Sequence, residues 1–70
     1  MKDPEKIIKA HYYIANKRWE KFCKLRDSIK NKAKKEFWSR EANEMLEIKL
    51  ELASVYYEIY EKGIGENNGQ

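Results

Sequence analysis

The sequence predicts an all-α protein: a two-helix antiparallel hairpin that dimerises into a four-helix bundle. Three observations predict it. No Gly or Pro interrupts the chain between Glu5 and Lys62. Apolar residues recur with the 4-3 spacing of a packed helix face. That repeat then slips phase near the middle of the chain, where a turn fits best.

The first helix is expected at about 4–34. Asp3 is a good N-cap, Pro4 suits the first helical position, and Glu5 complements the helix dipole. Its seam reads Ile8, Tyr12, Ala15, Trp19, Phe22, Arg26, Ile29 and Ala33, with Ile7, Ile14 and Leu25 widening it to one side. Continued unbroken, the repeat would put Arg40, Asn43, Glu47 and Ser54 on the seam, a poor core. The second half repeats instead at Leu46, Leu50, Ala53, Tyr57 and Tyr60. Lys34, Lys35, Ser39 and Arg40 cluster at the slip, and Ser39 can cap a second helix at about 40–62. Gly63 is the expected left-handed helix stop, with Ile64 falling back on Ile59. These make one helical domain over 1–64, followed by a flexible tail at 65–70. Two alternatives remain: a small three-helix bundle broken near Asp27-Ser28, and one long coiled-coil helix that absorbs the slip as a stammer.

Length sets the next constraint. A core built from 70 residues seldom supplies more than about 3–5 kcal/mol, so small folds add disulfides, metals or further chains. Cys23 and His11 are the only residues of their kinds, which excludes an internal disulfide and any Cys-pair or His-rich metal site. No cofactor is expected. One free thiol fits a reducing, cytoplasmic setting, and no apolar run approaches a membrane span of roughly 18 residues.

Association is the expectation that remains. The apolar residues of the second helix sweep about 220° of its circumference, interrupted by Lys49, where a surface helix needs roughly 100°. One antiparallel neighbour covers half of such an arc. Met45, Ile48, Leu52, Val55, Tyr56 and Ile59 lie on the side expected to turn away from the first helix. Together with the off-seam rings Tyr13 and Trp38, they are the candidate contacts for a second copy or a larger protein that the chain binds or inhibits. Which apolar side is internal is left open by the sequence.

Charge suggests a competing partner. Residues 1–40 hold 13 Lys/Arg against 5 Asp/Glu, and residues 41–70 hold 2 against 7. Lys6, Lys17, Lys21, Lys24 and Lys35 lie within about 40° of one helical line, with Lys32 and Arg40 beside it. Such a stripe is the footprint of phosphate tracking, so a nucleic-acid-binding hairpin dimer is the alternative. It is equally the pattern of a solvated helix face, and Glu5–Lys9, Glu20–Lys24 and Glu58–Lys62 are expected surface pairs. Arg26, alone on the seam, is expected to reach a rim or a glutamate across the hairpin.

Catalysis is not expected. Cys23 and His11 are separated by about 18 Å on a straight helix. Glu44, Glu47, Glu51 and Glu58 face away from the apolar arc and no Glu-x-x-His motif accompanies them. Neither a small-molecule substrate nor a membrane partner is indicated.

Overall fold

The computed structural model describes residues 3–65, and these form two helices, α1 (Pro4–Ser28) and α2 (Lys32–Tyr60), packed against each other. The extents are 45 × 22 × 22 Å with a radius of gyration of 14.6 Å. A compact globule of this length has a radius near 11 Å. The fold is therefore an elongated hairpin, not a three-helix bundle and not a single rod.

The start of α1 follows local chemistry. Asp3 Oδ1 accepts from the Glu5 amide at 3.0 Å, and Pro4 occupies the first turn. The turn differs from the expected one. It spans residues 29–31, and α2 begins at Lys32 where the sequence reading placed the corner between 34 and 40. The Ser28 hydroxyl donates to the Leu25 carbonyl at 3.1 Å, Ile29 is extended, and Asn31 Oδ1 accepts from the Lys34 amide at 3.1 Å. Ser28 and Asn31 thus supply the stop and the cap, each through a side chain that competes with the helix ladder. Ser39 lies inside α2. The break near Asp27-Ser28 that the three-helix alternative required is present, but only two helices result.

The far end also departs from expectation. Glu61, not Gly63, takes the left-handed conformation (φ 55°, ψ 34°), and its amide donates to the Tyr57 carbonyl at 2.7 Å. Ile64 is buried, whereas Ile59 stays 57% exposed, so the expected Ile64–Ile59 end contact does not bury Ile59. Of the expected tail, residues 66–70 lie outside the described residues.

The α1 seam is as read, apart from Ala33, which sits exposed in α2. Ile8, Tyr12, Ala15, Trp19, Phe22 and Arg26 are buried or half-buried. The α2 seam is a different set, namely Trp38, Ala42, Met45, Lys49, Leu52, Tyr56 and Tyr60. Leu50 and Tyr57, expected inside, are 62% and 61% exposed. Neither edge of the wide apolar arc is internal. Its middle is, and Lys49 stands there.

Lys49 is tolerated because α1 offers it aromatic faces. Its ammonium lies 4.3 Å from the Trp19 ring centroid and 5.7 Å from that of Tyr12. A cation over such rings gains about 0.5–2 kcal/mol, enough to keep a half-buried lysine on a seam. Ala15 and Ala42 are 4% and 1% exposed, small side chains that let the backbones approach. Toward the turn, Phe22 meets Trp38 at 5.2 Å and Phe37 meets Trp38 edge-on at 5.0 Å.

The open end is closed by a polar clasp. Tyr56, the one large side chain fully buried among the described residues, donates its hydroxyl to Glu5 Oε2 at 2.5 Å and packs against Tyr60 with ring centroids 4.7 Å apart and planes tilted by 45°. Lys62 and Lys9 reach the same carboxylate at 3.3 and 3.4 Å. The Tyr56 hydroxyl first, then Lys62, holds the Glu5 carboxyl down from 4.5 to about 2. The Glu5 bond in turn raises Lys62, and burial raises Tyr60. Of the expected surface pairs only Glu5–Lys9 forms. Glu20 meets Lys17 at 3.9 Å instead, and Lys62 crosses the hairpin instead of pairing with Glu58. Arg26 pairs with neighbouring Asp27 at 3.1 Å, which raises its pKa, and makes no cross-hairpin bridge.

Candidate interaction face

Two helices packed along one seam leave two long grooves, one on each side. At about 100° per residue, Ile7, Ile14 and Leu25 lie roughly a quarter-turn from the α1 seam, and Phe37, Ile48, Val55 and Ile59 lie a similar angle from the α2 seam. Both sets border the same groove. A concavity of about 250 Å³ along it is lined by His11, Ile14, Ala15 and Arg18 from α1 and by Met45, Ile48 and Leu52 from α2. Ile7, Ile14, Phe37, Ile48, Val55 and Ile59 are 40–57% exposed. The fold buries only Ala15, Ala42, Tyr56 and Ile64 as core among the described residues, so more large apolar surface lies outside than in. This apolar strip, interrupted by His11 and Arg18, is the candidate interaction face.

The candidate contacts divide accordingly. Ile48, Val55 and Ile59 are on the exposed side of this face, and Met45 and Leu52 form its half-buried floor. Tyr56 is corrected: it is wholly inside the hairpin, held by Glu5, and has no surface to offer. Trp38 is corrected too. With the turn at 29–31 it belongs to α2, where it packs on Phe22 along the seam. Tyr13 is 58% exposed, but on the outer side of α1, where Lys17 sits 5.4 Å from its ring centroid. Ile7, Ile14 and Phe37 belong to the face and were missed as contacts. Their signal is a second 4-3 repeat on each helix, one position before the seam on α2 and one before it on α1.

The cation set is exposed throughout, but the turn divides it. Lys6, Lys17, Lys21 and Lys24 share the outer side of α1, while Lys32, Lys35 and Arg40 fall at scattered angles on the first turns of α2. Glu47, Glu51 and Glu58 point outward from α2, away from α1. The hairpin therefore has a basic outer edge and an acidic outer edge, about one hairpin width apart.

Among the described residues, no group of three or more His, Cys, Asp or Glu converges as a metal site, and no helix is long and apolar enough to cross a membrane. Cys23 is a half-buried free thiol. No family model, no curated protein and no solved structure matches the chain, so the site stands on its own geometry.

Proposed function

We propose that this chain is a small, non-catalytic interaction module that acts by occupancy. Apolar helix surface from another polypeptide completes the groove, turning the two-helix hairpin into part of a larger bundle, and the molecule so bound is blocked or recruited. A four-helix bundle of two hairpins and a complex with a larger protein are both ways of closing it. The observation that carries the reading is the row of exposed Ile7, Ile14, Ile48, Val55 and Ile59 flanking one groove, beside a core too thin to need them. A free thiol suits a cytoplasmic setting for such a module.

The test is a photocrosslinking residue placed at Ile48 in the living source cell, with Glu58 as the outward-facing control. Covalent adducts of defined mass at position 48 and none at position 58 are expected. Equal labelling at the two positions, or none at 48, overturns the reading.

Binding to nucleic acid is the second reading, favoured by the separation of the lysine edge from the acidic edge, which leaves the cations of α1 unneutralised by α2. It predicts binding to duplex or single strands that weakens steeply between about 50 and 200 mM salt. Binding that ignores salt removes it.

A further inference from the structure

We infer that the groove is covered by a second copy of this chain, with α1 of each hairpin lying antiparallel over α2 of the other. This rests on the interaction reading above and names its partner.

The argument is one of register and charge. Within the hairpin, Glu5 faces Tyr56, Tyr12 faces Lys49 and Phe22 faces Trp38, so the numbers of residues at one level add to 60 or 61. Along the exposed face the same rule, within one residue, levels Ile7 with Val55, Ile14 with Ile48 and Leu25 with Phe37. Between these apolar levels, Arg18 is level with Glu44. Among the described residues neither takes part in an ion pair within the hairpin. They flank the groove unpaired.

A two-fold axis parallel to the helices keeps every residue at its own level and sets α1 of one copy against α2 of the other. Ile7 then meets Val55, Ile14 meets Ile48, and Arg18 of each copy meets Glu44 of the other. The other face-to-face arrangement, α1 on α1, runs the two copies in opposite directions and levels Arg18 with Ile14 of the other copy and Glu44 with its Ile48, so neither charge finds a partner. Unpaired charges there oppose association, so charge selects the first arrangement. Apolar levels supply the attraction and ionic levels fix partner and register, as in paired coiled coils. A face 45 Å long and 22 Å wide on each copy is of the size that stable interfaces bury, about 1,200–2,000 Å² in total.

Sedimentation with charge reversal tests the inference. The wild-type chain should sediment at about twice its 8.5 kDa. Reversing Arg18 (R18E) should weaken dimerisation at least about tenfold, because a like-charge contact replaces an ion pair at two symmetric places in the dimer. Reversing Glu44 (E44K) should do the same. An equimolar mixture of the two variants should restore a heterodimer, since both of its contacts regain opposite charges. Circular dichroism confirms that each variant stays helical, and the double reversal (R18E with E44K) in one chain should dimerise like wild type. A monomeric wild-type chain overturns the inference, and so does a dimer indifferent to either reversal, which is the α1-on-α1 result. A monomer that still gives large adducts at position 48 sinks the second copy while leaving the interaction reading intact.

Discussion

The seam of α2 and the stripe beside it reverse the usual rule of thumb. The stripe, Phe37, Ile48, Val55 and Ile59, is the purer in hydrocarbon and is exposed. The seam carries Lys49 and is covered. Hydrophobicity alone does not decide which side of a broad apolar arc goes in. The facing helix decides, through what its surface can receive. On α1, Trp19 and Tyr12 present flat rings that take an ammonium, Ala15 leaves room, and Glu5 accepts the Tyr56 hydroxyl. Aliphatic side chains have no such specific partner there, so they fall to the flank, where any apolar surface suits them.

The largest expected consequence concerns the seam. Tyr56→Ala removes the fully buried ring and the hydroxyl that donates to Glu5, at a cost of about 3–5 kcal/mol. That matches or exceeds what a core of this size supplies, so the monomeric hairpin should unfold in chemical denaturation at 25 °C. A Tyr56→Ala chain as stable as wild type would mean that the seam is misplaced.

A finer comparison sets Lys49→Ala against Val55→Ala in dilute, monomeric protein. Losing the ammonium from Trp19 should cost about 1 kcal/mol and shift Trp fluorescence. Trimming Val55 on the open flank should stay within about 0.5 kcal/mol. The opposite order would exchange the roles of seam and stripe.

The smallest effect is the pH response of the clasp. A carboxyl whose folded pKa is depressed stabilises the fold above its ordinary value, and that stabilisation is lost as pH falls through the folded value. For Glu5 the window runs from 4.5 down to about 2. The thermal midpoint should fall across this window in wild type and flatten in Glu5→Gln. In Tyr56→Phe, which removes the largest cause of the depression, NMR titration should find the carboxyl moved back up toward 4.5.

Much of the fold was legible in the sequence. The caps Asp3 and Pro4, the uninterrupted helical run, the hairpin and the entire α1 seam up to Ile29 follow from local rules. The turn was misread because the phase slip pointed to residues 34–40. The side-chain chemistry that stops a helix lay earlier, at Ser28 and Asn31. The α2 seam was misread for a related reason. A lysine in mid-arc looks like an interruption, until Trp19 and Tyr12 are known to lie opposite. That knowledge comes only from pairing residues 30 and 37 positions apart. The exposed face was half visible, because Ile48, Val55 and Ile59 were on the correct side while Tyr56 and Trp38 were drawn into the core by partners on α1. The left-handed Glu61 had no signal at all, with Gly63 standing two residues away.

The measurement that bears most directly on the account is an isotope-filtered NOE spectrum of labelled and unlabelled chains mixed in equal parts. It reports contacts between copies and ignores those within one. The account predicts intermolecular contacts from the Ile14 methyls to Ile48, and none from the Tyr56 ring. Intermolecular contacts confined to Leu50 and Tyr57, on the opposite side of the hairpin, would contradict it, as would a spectrum with no contact between copies.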